Sequence, residues 1–268
     1  MIQAVVFDLD DTLLRDDRTI SSRTVDTLRR IRRMGVHVIP ASGRIRESMH
    51  PYVEQLGCAS CYISGNGAQV WSSDHSLLMS RELSPALARE AVSFANEHDC
   101  YAQIYDGGRF LYDRTSEYSQ LYARSASLEG IRVPALPEAA VRPTPKVLLI
   151  SSPEHIAQLL PKAQARFEGR MTTTCSKPIY LEITPPDATK GNALRWCAEH
   201  LGFSLARTMA FGDSLNDMSM LALAGHGVAM GNAREDVKSL IRRVCPSNNE
   251  DGVAQYIQQH LLQQPTGG

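Results

Sequence analysis

The stretch Val5-Val6-Phe7-Asp8-Leu9-Asp10-Asp11-Thr12-Leu13-Leu14 runs an apolar segment of strand character into three carboxylates, then a hydroxyl and a return to leucines. Two carboxylates two positions apart at the end of a buried strand repel each other and are costly to desolvate. Such a pair persists where a cation compensates it, and a hard metal ion held by oxygen ligands is the usual counterpart. An acidic turn after an edge strand would read the same way. What the rest of the chain brings to Asp8 and Asp10 decides between the two.

Outward from this strand the elements alternate. Ile20-Ser21-Ser22 opens a helix with a hydroxyl cap and an apolar residue before it, Val25, Leu28 and Ile31 give it a buried stripe, and Gly35 stops it. A strand is predicted over 36–39, ending in Pro40-Ala41-Ser42-Gly43-Arg44. A helix then runs to about Leu56, and a short strand covers Tyr62-Ile63. Strand, helix, strand, helix, strand implies right-handed crossovers and a parallel sheet. Ser64-Gly65-Asn66-Gly67 is turn chemistry, and its Asn-Gly favours a two-residue hairpin.

From Glu82 the alternation breaks. A helix is predicted over 85–98 and strands over 101–105 and 109–112, around the turn Asp106-Gly107-Gly108. An irregular, proline-containing connection fills 130–145, followed by a strand over 146–150, a helix over 153–167 and strands over 171–175 and 179–183. This mixture implies a separate α+β unit inserted into the sheet, closed by Pro185 and Pro186. Alternation then resumes: a helix over 191–201, a strand over 208–211, a helix after Asn216, a strand over 228–230, a helix from Arg234, a short strand near Val244 and a last helix over 252–262. A frayed tail is expected at 263–268. The reading is an α/β protein. Residues 1–82 and 187–268 form a Rossmann-like parallel-sheet core, and residues 83–186 form an inserted α+β cap.

Composition narrows the function. The 268 residues are 43% hydrophobic and 21% charged, enough for one large domain or two modest ones. A formal net charge of -1 provides no field to recruit nucleic acid or an anionic membrane. Arg29, Arg30, Arg32 and Arg33 fall at a predicted helix end, where cations complement the macrodipole. No apolar run approaches the roughly 20 residues of a membrane span. The first strand begins without a basic leader, so a cytoplasmic protein is expected. Six scattered cysteines suit reduced thiols; Cys58 and Cys61 form one CxxC, but no second pair or His pair completes a zinc site.

Four polar clusters lie at predicted strand ends or helix starts: Asp8 with Asp10, Ser42-Gly43, Lys190-Gly191, and Gly212-Asp213-Ser214-Leu215-Asn216-Asp217. In an open parallel sheet ligands bind beyond the carboxyl ends of the strands, so the four can converge. Alone, Ser42 reads as a cap, Lys190 as a surface lysine opening a helix, and the last cluster as a turn. A further set of carboxylates after another apolar strand weighs against coincidence.

Taken together these motifs resemble those of the haloacid dehalogenase (HAD) superfamily phosphatases, specifically the Cof-like group with a type IIB cap. The first motif is Asp8-Leu9-Asp10-Asp11-Thr12, the second Ser42, the third Lys190 and the fourth Gly212 to Asp217. Similarity extends to Gly65-Asn66-Gly67-Ala68, Leu181-Glu182-Ile183-Thr184-Pro185, Gly227-Val228-Ala229-Met230-Gly231-Asn232-Ala233 and Asn249-Glu250-Asp251-Gly252-Val253, so it runs nearly end to end, with the cap matching in outline. Asp11 replaces a common glycine, and Ser42 stands where threonine is frequent.

The resemblance implies Mg²⁺-dependent hydrolysis of a phosphomonoester of a small metabolite, such as a sugar phosphate or pyridoxal phosphate, through an aspartyl-phosphate. Asp8 would be the nucleophile and Asp10 the general acid and base. Mg²⁺ would sit between Asp8, the backbone carbonyl of Asp10, and Asp213. Phosphate oxygens would meet the Leu9 N–H, Ser42, Gly43, Lys190 and Asn216, and Asp217 would orient Lys190 or a metal-bound water. A phosphomutase and a binding module without turnover remain open; intact Asp8, Asp10, Lys190 and Asp213 argue against the second. Tyr101, Tyr105, Tyr112 and Tyr180, on predicted cap strands, could contact substrate, although strand tyrosines are more often packed.

Overall fold

The computed structural model describes residues 1–126 and 128–262. β1 (Ala4–Phe7) is buried along its whole length, as an unbroken apolar run requires in a sheet covered on both faces. α1 (Ser22–Arg33) starts where the Ser21 side chain accepts the Thr24 N–H, and it buries Val25, Leu28 and Ile31. β2 (His37–Pro40) pairs parallel with β1, and α2 (Arg46–Leu56) ends at Gly57 in the left-handed region. β3 (Cys61–Ser64) joins this layer through one parallel bridge, Ala41 to Ile63. It then pairs antiparallel with β4 (Gln69–Ser72), which pairs with β5 (Leu77–Ser80), a strand not expected from the sequence.

Asn66-Gly67 does not make a two-residue hairpin. Ser64 pairs with Gln69, so the turn spans residues 65–68, with Asn66 at φ 57 and Gly67 at φ 104. The cause is tertiary: a Cβ on Gly67 would lie 2.2 Å from the carbonyl oxygen of Thr189. The turn is moulded against the segment that delivers Lys190, and that packing outweighs the local Asn-Gly preference.

The middle of the chain forms α3 (Pro85–Glu97), β6 (Tyr101–Asp106), β7 (Arg109–Tyr112), α4 (Glu117–Ala126), β8 (Gly130–Arg132), α5 (Leu136–Ala139), β9 (Val147–Ile150), α6 (Pro153–Phe167), β10 (Thr172–Lys177) and β11 (Tyr180–Thr184). Its six strands are ordered β10-β11-β9-β6-β7-β8, and all pairs are antiparallel except β7 with β8. Residues 130–145 are therefore not wholly irregular, because β8 finds a partner at the sheet edge. Strand alternation divides the sheet. Val147, Leu149, Leu181 and Ile104 pack under α3 and α6, while Leu148 and Ile150 join Tyr105, Phe110 and Tyr122 on the opposite face, together with Ile45 from the start of α2.

The chain then returns to the first sheet with α7 (Lys190–Leu201), β12 (Thr208–Gly212), α8 (Met218–Leu223), β13 (His226–Ala229), α9 (Glu235–Leu240) and α10 (Gly252–Ile257). The strand order is β13-β12-β1-β2, all parallel, with its own apolar core running from Ala4 to Ile257. Near Val244 there is only a single bridge to Ala229. The expected frayed tail at 263–268 lies outside the described residues. Among the described residues no helix is long and apolar enough to cross a membrane. Gly67→Ala should cost about 2–3 kcal/mol, because a left-handed backbone and a backbone clash act together. Urea denaturation checks this, and the variant should also lose turnover as the start of α7 is displaced.

Candidate active site

Register brings the clusters together. Phe7 pairs with both Pro40 and Phe211, so Asp8, Ser42 and Asp213 leave three adjacent parallel strands at nearly the same level. The Lys190-Gly191 cluster arrives from the side, where Thr189 caps α7 through the Asn192 N–H and places Lys190 at the first helical position.

Lys190 has no exposed surface, and its ammonium donates to the Asp8 carboxylate and, at 2.6 Å, to Asp217 Oδ1. Burial works against that charge, but Asp217 and Asp8 together raise its pKa above that of an ordinary lysine. The other Asp217 oxygen accepts the backbone N–H groups of Asp213 at 2.9 Å and Ser214 at 3.1 Å. Gly212 is required beneath it, since a Cβ there would come within 2.5 Å of the Asp217 side chain. Burial holds the Asp8 pKa well above the usual carboxylate range, opposed by Lys190 and reinforced by Asp217, Asp213 and Asp10.

Asp213 is oriented by two hydroxyls, Thr12 donating to Oδ1 at 2.8 Å and Ser214 to Oδ2 at 2.6 Å. Burial and the Asp217 charge push its pKa up to about 7. Ligand oxygens of Asp8, Asp213 and Asp217 all lie within 4.8 Å of one another, and this all-oxygen cluster can hold a metal ion. Asp217 is already saturated by Lys190 and two amides, which leaves Asp8 and Asp213 as the carboxylates free to turn toward an ion. With all three carboxylates ionised, one ammonium leaves two negative charges in excess, a balance suited to a divalent cation. Without one, burial favours protonation of Asp8 and Asp213.

Asp10 has a different environment. Arg44 grips it with two hydrogen bonds, Nε to Oδ2 at 2.8 Å and Nη2 to Oδ1 at 2.7 Å. Burial alone would raise the Asp10 pKa, but Arg44 brings it below the ordinary value. Ser42, Gly43 and Asn216 all line the cleft above Asp8. The Ser42 hydroxyl accepts the Arg44 N–H at 3.2 Å, and Asn216 donates to Asn66 Oδ1 at 2.9 Å while its own Oδ1 is buried without a partner among the described residues. The Leu9 side chain is fully buried in the core, so its contribution to an anion site is confined to backbone.

Sequence reasoning missed the cap side of the site. Lys146 and Glu182 are both buried and ion-paired, Lys146 also donates to the Gly43 carbonyl at 2.6 Å, and Asn66 donates to Glu182. A glutamate alone among the apolar residues of β11 was the available signal, because such a group is buried only when paired. Arg44 followed directly on the second motif and could have been read with it. Of the four strand tyrosines only Tyr180 lines the cleft, joined by Tyr122 from the unforeseen α4. Tyr101 and Tyr105 are packed, their hydroxyls tied through Gln103.

A buried carboxylate beside a buried lysine, with an acidic cluster that can hold a metal ion beneath an inserted α+β unit, is an arrangement suited to phosphoryl transfer. Residues 5–257 match the haloacid dehalogenase-like hydrolase family, and the chain belongs to it; it is a phosphatase. The chain is 30% identical over 267 residues to an HMP-PP phosphatase of Serratia proteamaculans, covering 99% of this chain and 97% of that one. It is 27% identical to a pyridoxal phosphate phosphatase of Escherichia coli, with 97% and 99% covered. A haloacid dehalogenase-like hydrolase from Bacteroides thetaiotaomicron superposes with a TM-score of 0.86 at 27% identity, covering 97% of this chain and 99% of that one.

Glu182→Ala should destabilise the protein by about 3–5 kcal/mol, since it strands the buried Lys146 ammonium. The double variant Glu182→Leu with Lys146→Met should recover much of that loss in urea denaturation.

Proposed function

We propose that this enzyme hydrolyses a phosphomonoester of a small metabolite through a phosphorylated Asp8, with Mg²⁺ at the acidic cluster. The observation that carries this reading is Asp8 itself, buried at the end of β1 with Lys190 on one side and Asp213 on the other. Asp8 attacks phosphorus and releases the alcohol, splitting one difficult displacement into two easier ones. Lys190, the Ser42 hydroxyl and the backbone at Gly43 and Leu9 bind the phosphoryl oxygens where charge builds up. Asn216 has a second Nδ2 hydrogen to offer a phosphate oxygen, and its buried Oδ1, unpaired among the described residues, can accept from a bound water. Bound between Asp8, Asp213 and the Asp10 carbonyl, Mg²⁺ would supply charge neutralisation for the incoming anion. Asp217 positions Lys190.

Asp10 donates a proton to the leaving oxygen and later takes one from the attacking water. Held ionised by Arg44, it is set for the second of these tasks. An arriving phosphate dianion competes for Arg44 and disfavours a nearby carboxylate charge, which sets Asp10 for the first.

Residues 83–186 act as the cap over a catalytic unit formed by 1–82 and 187–268. The cleft combines Tyr122, Tyr180 and Lys177 from the cap with Arg18 from the core, a lining suited to a polar ring or sugar bearing the phosphate. The relatives named for HMP-PP and pyridoxal phosphate support that substrate class.

Release of inorganic phosphate from a panel of sugar and cofactor phosphates should require Mg²⁺, stop with a chelator and resume when Mg²⁺ is restored. Asp8→Asn should keep the circular dichroism of the parent and lose roughly 10³-fold or more in rate. Wild-type-like turnover in that variant would sink the mechanism, and exchange between sugar phosphates without phosphate release would identify a mutase.

A further inference from the structure

His50, Glu54 and His75 form a second cluster of metal-ligating side chains, and none of them lines the catalytic cleft. His50 and Glu54 stand four residues apart on α2, which places them on one face of the helix, both exposed. His75 comes from the turn between β4 and β5, at φ 65. Its Nε2 lies 2.9 Å from Glu54 Oε1, and the rings of His50 and His75 meet edge to face with centroids 4.4 Å apart. Ligand atoms of all three lie within 4.8 Å of one another.

We propose that these residues bind a divalent transition ion of the zinc type, through two imidazoles and one carboxylate with a fourth position open to water. Ligands of a tetrahedral zinc ion stand roughly 3.4 Å apart, given bonds of about 2.0–2.2 Å. Exposed His50 and Glu54 rotamers can close that gap. The borderline-soft imidazole pair selects against Mg²⁺, which prefers oxygen ligands and so favours the Asp8 and Asp213 cluster.

The decisive feature is what stands behind His75. Its Nδ1 lies 2.9 Å from the hydroxyl of Tyr62, a residue with no exposed surface on β3. A metal-bound imidazole must donate its other N–H to a fixed acceptor, which sets both tautomer and ring orientation. The Tyr62 hydroxyl can donate to Nδ1 or accept from it. With Nε2 on the ion, the imidazole proton sits on Nδ1, where the Tyr62 hydroxyl can accept it with the ring left where it is. The ion would clasp α2, which follows directly on Ser42-Gly43-Arg44, to the β4–β5 turn.

Zinc titration by calorimetry of the full chain, with Mg²⁺ in excess to occupy the acidic cluster, tests the proposal. The parent should bind one zinc ion and gain in melting temperature. His50→Ala and His75→Gln should each weaken binding at least tenfold and abolish the thermal gain, while keeping Mg²⁺-dependent phosphatase activity. Tyr62→Phe should weaken binding about tenfold with all three ligands intact. Cobalt in place of zinc should give the strong visible absorption of a four-coordinate site in the parent and lose it in both His variants. Absence of saturable zinc binding in the parent, or binding indifferent to His50→Ala and His75→Gln, overturns the proposal.

Discussion

A fully buried ammonium is the constraint on which the active site is built. Lys190 keeps its charge in the interior because two carboxylates face it, and this arrangement depends in turn on the residues around it. Asp217 needs the amides of Asp213 and Ser214 and the bare Cα of Gly212. Thr189 needs the space left by Gly67. A pair of this kind is a poor source of stability, since desolvation consumes most of the attraction. What it supplies is position. The lysine cannot leave Asp8 without stranding a charge, so the proposed nucleophile and its nearest cation stay in register before any substrate arrives.

The same economy of polar groups links cap and core. Glu182 lies on β11 and Lys146 immediately precedes β9, yet Lys146 donates to the carbonyl of Gly43, and Glu182 accepts from Asn66, which accepts in turn from Asn216. Two of the residues assigned to phosphate, Gly43 and Asn216, are therefore tethered to the cap sheet. A shift of the cap cannot leave the phosphate site unchanged, because buried hydrogen bonds resist being left unmade.

Much of this was legible in the sequence where chemistry and position coincide. Lys190 alone reads as a surface lysine opening a helix, whereas Asp8 and Asp213 announce themselves because charge at the end of an apolar strand demands a partner. Their convergence follows from parallel topology alone. The partners themselves were hidden by distance along the chain: Arg44 is 34 positions from Asp10, and Asn66 is 116 from Glu182. The Asn-Gly turn misled because its conformation is imposed by Thr189. α4 went unread because its buried face is Ser119, Tyr122 and Ala126, which leaves no apolar stripe to detect.

That unread helix bears on catalysis. In the proposed mechanism, Asp10 is an acid in one half-reaction and a base in the other, so its proton affinity must change within the cycle. Arg44 sets that affinity, and Arg44 also donates to the Ser48 hydroxyl at 2.8 Å. Ser48 in turn donates to the carbonyl of Ala126, the last residue of α4, at 2.6 Å. The helix that presents Tyr122 to the cleft is thus two hydrogen bonds away from the arginine that holds Asp10 ionised. In the proposed reaction, a substrate seated against Tyr122 and Tyr180 would meet both ends of this chain, the helix that anchors Ser48 and the arginine that holds Asp10. The inserted unit and Asp10 are joined by a continuous chain of hydrogen bonds through Arg44 and Ser48.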